Sequence, residues 1–509
     1  MPIVLHPVRK RFPRLALTFA FIWWAGCAEP GPRMLDTPQL GTSVSATTQP
    51  ASPRAVDSNK DGRPDYWQHF GADGRIASLA FDTDGDGSPD ETVDRTAPQA
   101  GDRHLIIMLD SIPFGFVEDA WRAGRFRLFH PPGKVISPFP VMTDLSFSEL
   151  FGVSPSPGVE ASHFDGHRLR DGYDVYAHGG NAGWNARVDY ALLPIVHAVA
   201  YLNPRMWYDH ELGKIQRMFL GGQGDFRGYV VTTSGLGAWY GRDGHAPALE
   251  KLDAACEYIM HACRGRVQIT LLSDHGHVLQ KSRRIPLSQL LAAKGWRVGS
   301  HLASERDVVV PEFGVVSCAA IHTRRPAEVA RDCIGIEGVE LVMFRGLGRG
   351  EITVMGREGE TVLRVDSRGR FAAQLVRGDP LQLAGAIESL RATGRMDIAG
   401  YATDLDWSQA TGAGQAGAGT YPDPIYRIWR AFNGLVENVP DVYLSLADGY
   451  HCGSELMTRL VDISATHGSL NAVSSTGFVM STVGPMPSSV RMRDLASVLK
   501  SLDVPIQRP

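Results

Sequence analysis

Three continuous apolar runs stand out in the middle of the chain. His104–Asp110 reads HLIIMLD, Arg227–Ser234 reads RGYVVTTS, and Val267–Asp274 reads VQITLLSD. Apolar runs of this length without polar alternation predict strands buried on both faces of a parallel sheet. Between the second and third, Leu249, Leu252, Cys256, Ile259, Met260 and Cys263 recur at three- and four-residue spacing, the stripe of a helix laying one face on that sheet. Strand, helix, strand in this order predicts an α/β fold with a doubly wound, mostly parallel sheet. After about Arg284 the pattern changes. RDVVVPEFGVVSCAAIHT, EITVMGR and TVLRVDSRGRFAAQLV are strand-like segments separated by turn residues, so an inserted β-rich subdomain is expected at about 285–378. Helical spacing returns at Leu381–Ala392 and in PIYRIWRAFNGLVENV, Gly412–Thr420 reads as a loop, and THGSLNAVSSTGFVMST leads into a further apolar strand.

Upstream of His104 the periodicity is lost. Arg9, Lys10, Arg11 and Arg14 precede an apolar run from Leu15 to Trp24 and small residues before Cys27, the three-part build of a secretory signal over residues 1–27. That run is too short to span a bilayer. Trp24-Ala25-Gly26-Cys27 resembles the bacterial lipobox, which implies lipidation at Cys27 and a membrane partner through that anchor. An ordinary signal peptide cleaved nearby is the alternative, and either one predicts export to the cell envelope. Residues 28–56, rich in Pro, Thr, Ser and Gly, read as a flexible tether.

Two acidic loops follow. Asp57, Asn59, Asp61, Gly62 and Asp65 form one, and Asp82, Asp84, Asp86, Gly87 and Asp90 the other. Their spacing converges oxygen ligands on one hard cation, with Gly permitting the central turn, so Ca2+ is the expected ion. An EF-hand would carry Glu at the twelfth loop position, where Gln68 and Val93 stand. The pair more closely resembles thrombospondin type 3 repeats. Residues 57–95 are therefore expected to form a small calcium-binding module; solvated acidic turns are the other reading.

At 509 residues the chain predicts one large domain, over 101–509, with accessory segments. A formal charge of -4, with basic residues scattered among acids, gives no electrostatic footprint for nucleic acid, so a small-molecule substrate is expected. Beyond Cys27, the cysteines at 256, 263, 318, 333 and 452 are too scattered for a disulfide framework or a zinc ribbon.

The chemistry lies where the strands end. Asp110 and Asp274 close two predicted strands and should emerge at the carboxyl edge of the sheet. A lone Asp there is ordinarily a turn or helix cap. His275 directly after Asp274 changes that, because a carboxylate beside an imidazole favours Zn2+, Mn2+ or Fe over Ca2+. In SPFPVMTDLSFSELFG, residues 137–152, two prolines give an extended approach and Thr143 with Asp144 opens a short helix. A hydroxyl at a helix N-terminus meets free N–H groups and the positive end of the dipole. Deprotonated beside a bound cation, it can attack a phosphoryl centre. A plain cap role for Thr143 is the alternative.

Asp110 after an apolar strand, the Pro-rich lead into Thr143, SDHG at 273–276 and the late His467-Gly468 pair together resemble the alkaline phosphatase superfamily, and within it the type I phosphodiesterase and nucleotide pyrophosphatase group. The resemblance covers roughly residues 104–486 and implies two metals. Asp110, Thr143, Asp274 and His275 would hold one, with Thr143 as the nucleophile. His467 and an Asp-x-x-x-His pair would hold the other. Here the chain departs, because the positions of that pair read Ser234 and Ala238, and neither is a zinc ligand. Asp243 and His245 are the nearest replacements, with a surface loop as the competing reading, and His277 reads as a satisfied structural histidine. The function implied is an exported, metal-dependent hydrolase of phosphate esters, diesters foremost. The alternative is a catalytically degenerate surface lipoprotein that binds a ligand or partner.

Overall fold

The computed structural model describes residues 53–58, 61–177, 183–348, 350–412 and 420–507. The signal-like segment with Cys27, residues 28–52 of the tether, Asn59 and residues 413–419 lie outside the described residues. All described residues fall in one compact unit, Ser43–Pro509.

Six strands form the sheet that carries the site, in the order Ser489–Arg491, Gly133–Ile136, Thr476–Ser481, Val267–Ser273, Arg103–Leu109, Phe226–Val230. The three predicted runs lie side by side, with Arg103–Leu109 parallel to both neighbours. Burial on both faces explains their unbroken apolar character. Leu105, Ile107 and Leu109 join one core with Ile269 and Leu271, while Ile106 and Met108 join a second core with Leu272 and Val479. Register sets the next step. Leu109 stands opposite Ser273 and Val230, so Asp110 and Asp274 leave the sheet together at one edge.

Five of its six strands run in one direction, as a mostly parallel sheet requires, and one is reversed. Thr476–Ser481 runs antiparallel to both Val267–Ser273 and Gly133–Ile136. An apolar strand has the same sequence pattern in either direction, so only the path of the connecting chain decides it. The run RGYVVTTS also ends as a strand at Val230, and a helix begins at Thr232. The buried carboxylate of Glu211 accepts from the Val231 and Thr232 N–H groups at 3.3 and 3.1 Å, satisfying orphan donors at that helix start. The helix predicted near Leu249 begins at Arg242 and runs to Ala262, carrying Leu249, Leu252, Cys256, Ile259 and Met260 into the first core.

A second, nine-stranded sheet is nearly all antiparallel. The expected β-rich segments supply most of it, including Cys318–Thr323, Ile352–Gly356, Glu360–Val365 and Phe371–Arg377. Val442–Leu446, far beyond Gly378, lies between Cys318–Thr323 and Val339–Arg345. Near the N-terminus, Arg54–Val56, Tyr66–Phe70, Ile76–Phe81 and Glu91–Asp94 form a four-stranded antiparallel sheet. Tyr66, Ile76, Leu79, Phe81 and Val93 from it share a core with Leu105 and the Arg242–Ala262 helix. Among the described residues no helix is long and apolar enough to cross a membrane.

Candidate metal centre

Asp110, Asp274 and His275 each bring one ligand atom within 4.8 Å of the other two, and all three are buried. His275 Nε2 stands 3.3 Å from Asp274 Oδ2, 3.9 Å from Asp110 Oδ1 and 3.4 Å from Thr143 Oγ1. Each group is braced from behind. Asp274 Oδ1 accepts from the Ser111 and His275 N–H groups at 3.0 and 2.9 Å. Asp110 accepts from the Ser111 hydroxyl and the Tyr229 phenol, both at 2.6 Å. His275 Nδ1 lies 2.9 Å from the Gly276 carbonyl, which accepts its proton and leaves the Nε2 lone pair turned to the carboxylates. Gly276 has to be glycine here. A Cβ on it would fall 1.9 Å from the Val473 carbonyl oxygen.

Asp274 Oδ2 is the exception to this bracing, being buried with no hydrogen-bond partner. Burial, and then the charge of Asp110, push the Asp274 carboxyl well above the usual carboxylate range, while burial pushes His275 down. Two carboxylates crowded in a dry site with an orphaned oxygen are costly without a compensating cation. Two carboxylates and a neutral imidazole suit Zn2+, Mn2+ or Fe2+, so the donor set fits a divalent transition metal.

Thr143 is the first residue of the Thr143–Phe151 helix, Met142 takes the cap position, and no side chain caps the helix. The hydroxyl is therefore not spent as a cap, and it is half-buried at the mouth of the cluster. The first-turn N–H groups of the helix have no intrahelical acceptor, which makes this end a seat for an anion. The Pro-rich lead is pinned to the late His-Gly pair: Val141 N–H donates to the Gly468 carbonyl at 3.1 Å, and His467 Nδ1 donates to the Val141 carbonyl at 2.9 Å. His467 then stacks on His275 with ring centroids 4.2 Å apart. Asp110, Thr143, Asp274, His275 and His467 thus meet at one place.

The remaining expected residues part company. The Ser234 hydroxyl accepts from Tyr201 at 2.6 Å and donates to the Ser111 oxygen at 3.3 Å, since the Ser111 proton is spent on Asp110. Asp243 and His245 lie within the Arg242–Ala262 helix, not in a surface loop, and positions two apart on a helix face different ways. Asp243 is exposed and His245 fully buried, so they do not form a ligand pair. His277 is buried with Nδ1 unpartnered, so it is not the satisfied histidine expected. At the N-terminal sheet the acidic loops occupy the first and third strand connections. Asp82 accepts from the Gly85 and Gly87 N–H groups at 2.7 Å each, Asp90 from the Thr83 hydroxyl at 2.7 Å, Asp57 from the Gly62 N–H at 2.9 Å and Asp65 from the Ser58 hydroxyl at 2.6 Å. Oxygens of Asp82, Asp84 and Asp86 come within 4.8 Å of one another. Asp61 accepts from the Arg63 N–H at 2.9 Å, and Asn59 lies outside the described residues.

Sequence reasoning missed Ser111, Tyr229 and Arg427. Arg427 is buried in the Pro424–Phe432 helix, and its Nε donates to the Ser137 carbonyl at 2.8 Å. Ser137 in turn donates to the Asp274 carbonyl at 2.6 Å. A cation set between the apolar residues Ile425, Tyr426 and Ile428 was the available signal.

No family profile matches the sequence, and no curated protein matches it. Among solved structures, the fold is similar to murine ectonucleotide pyrophosphatase/phosphodiesterase 5, at 11% identity and TM-score 0.43, over 80% of this chain and 96% of that one. The human protein of the same name gives 11% identity and TM-score 0.42 with the same coverage. An inactive variant of the murine protein in complex with AMP gives 12% and 0.41, over 79% of this chain and 94% of that one. Likeness at this level assigns neither family nor activity.

Proposed function

We propose that the chain is an exported, metal-dependent hydrolase of phosphate esters, diesters foremost, with Thr143 as the nucleophile. One observation carries the reading. The uncapped Thr143 hydroxyl, at a helix N-terminus, stands beside a buried Asp110–Asp274–His275 donor set in which Asp274 Oδ2 has no partner.

A divalent cation held by Asp110, Asp274 and His275 would polarise a phosphoryl oxygen and raise the acidity of a nearby hydroxyl. The chain's own groups do the rest. First-turn N–H groups of the Thr143–Phe151 helix orient the substrate's anionic oxygens. Thr143 Oγ1 attacks phosphorus, its bond to phosphorus forms as the ester bond to the leaving alcohol breaks, and the hydroxyl proton leaves in net terms with that alcohol. Water then cleaves the phosphothreonine, restoring the hydroxyl and releasing the monoester. Tyr229 and Ser111 hold Asp110, and the Gly276 carbonyl fixes the His275 tautomer throughout.

Thr143→Ala is expected to lower turnover of an aryl phosphodiester by on the order of 10³-fold or more while the metal content is kept. Full metal-dependent turnover by that variant would sink the assignment. Ser234 and Ala238 favour a second reading, a surface protein that binds phosphate esters without cleaving them. Retained metal with no turnover across phosphate and sulfate esters would support it. Lipid attachment at Cys27 and Ca2+ in the acidic loops belong to the same proposal, supported by the lipobox-like tetrad and by the converging oxygens of Asp82, Asp84 and Asp86.

A further inference from the structure

The resemblance to two-metal phosphodiesterases implies a second ion, held by His467 and by an Asp-x-x-x-His pair whose positions here read Ser234 and Ala238. The donors do not fit one. Among the described residues, the groups of three or more His, Cys, Asp or Glu whose ligand atoms lie within 4.8 Å of one another are Asp110–Asp274–His275 and Asp82–Asp84–Asp86, and His467 is in neither. Its Nδ1 is committed to the Val141 carbonyl, and the one nitrogen left falls short of the three protein ligands that a catalytic zinc takes.

A row of hydroxyls stands there instead. Tyr201 Oη donates to Ser234 Oγ at 2.6 Å, Ser234 donates to Ser111 Oγ at 3.3 Å, and Ser111 donates to Asp110 Oδ1 at 2.6 Å. That last oxygen is the one 3.9 Å from His275 Nε2. Ser234 and Ser111 are both buried, so neither proton is shared with bulk water. With every O–H dipole pointing the same way, each bond strengthens the next, and the positive ends face the carboxylate.

The two ends of the row are built for this. Tyr201 sits near the end of the Pro194–Leu202 helix, where its carbonyl accepts from the Trp239 indole at 2.7 Å and its ring lies over Gly235, a Cβ on which would be 3.6 Å from Tyr201 Cδ1. Ser111 has φ 61°, a backbone strained for serine and open to glycine. From that conformation its N–H reaches Asp274 Oδ1 at 3.0 Å while its hydroxyl reaches Asp110, so one residue ties the two carboxylates together. Glycine would give the N–H contact without strain. Only the hydroxyl accounts for serine.

We propose that this row of hydroxyls takes the place of the second metal, so that the centre works with one transition-metal ion and Tyr201, acting through Ser234 and Ser111, is a positioning residue for Asp110. The inference rests on the metal centre of the function proposed above. It also gives Ser234 a use that neither an aspartate nor an alanine could serve, since the position must accept one proton and donate another.

The test needs no substrate and uses the full-length chain. Zinc per chain is counted after loading with excess ion in the presence of Ca2+ and desalting, affinity is read by chelator competition, and cobalt(II) loading reports the coordination through its visible absorption. The native chain is expected to hold one ion and Asp274→Asn none. Tyr201→Phe keeps the ring on Gly235 and removes the first donor, so affinity should fall about 10-fold, and Ser111→Gly should lower it by as much as about 100-fold. Both should shift the cobalt absorption. Ser111→Gly is the sharper variant, because glycine suits the backbone there and the metal-free thermal melt should hold while the row is cut. Two ions in the native chain, or affinity and cobalt absorption unchanged in both variants, overturn the inference and leave the proposed function standing. Affinity that falls only in step with the metal-free melt, with the native cobalt absorption kept, overturns it too, since Tyr201 and Ser111 would then serve the fold alone. No ion in the native chain removes the centre itself, and the function proposed above with it.

Discussion

Tyr229 shows what one residue behind a ligand does. Its phenol donates to Asp110 at 2.6 Å while its ring packs edge-on against Phe147 and Trp184. Tyr229→Phe keeps the packing and removes the donor. Metal affinity, measured by chelator competition, should fall about 10–100-fold, as for other partners of metal ligands; unchanged affinity would show that Asp110 is held without it. Asp274 and His275 were legible in the sequence because they are neighbours in the chain and follow an apolar run. Tyr229 was not, since a tyrosine in a strand reads as core, and only the parallel pairing of Tyr229 with Met108 brings its hydroxyl to Asp110. His277 was misread for a related reason. Whether a histidine is satisfied depends on neighbours that the sequence does not order in space.

At the scale of elements, the unbroken apolar run at Arg103–Leu109 belongs to two cores, which makes its two faces comparably sensitive. Ile106→Ala and Ile107→Ala should each cost about 2–5 kcal/mol in urea unfolding. A large cost on one face and none on the other would contradict double burial. The N-terminal sheet makes a different prediction. Because Tyr66, Phe81 and Val93 share the main core, cation binding in its loops should stabilise the whole unit and not a detached module. Ca2+ at about 100 times its dissociation constant would add roughly 2.7 kcal/mol per site, read as a rise in melting temperature that chelator reverses. Asp82→Ala combined with Asp84→Ala should abolish the response of the second loop. A melt indifferent to Ca2+ would leave both loops as solvated turns.

Over the whole molecule, pH dependence has a handle away from the metal centre. His104 is buried at the start of its strand, with Nε2 2.8 Å from the Thr270 hydroxyl. Burial, and then the charge of Arg227, hold its pKa down from 6.5 to about 3. The unfolded chain takes up this proton first, so the stabilisation is complete above pH 6.5 and is lost as pH falls from there toward about 3. The loss from this group is at most about 1.4 kcal/mol per pH unit. His104→Gln should flatten the acid limb of a stability profile, and an unchanged slope would reject the assignment. Cys27→Ser should move the chain from the membrane to the soluble fraction if the lipobox reading holds. What the sequence determined by itself is local: the apolar runs, their terminal acids, the helix opening at Thr143, the acidic loops. These follow from chain adjacency and residue periodicity. Tertiary structure alone decided the antiparallel Thr476–Ser481 strand, the recruitment of Val442–Leu446 and the meeting of His245 with His277 across Gly237. Strand direction, strand partner and side-chain convergence are fixed by packing between segments remote in the chain, and no local pattern encodes them.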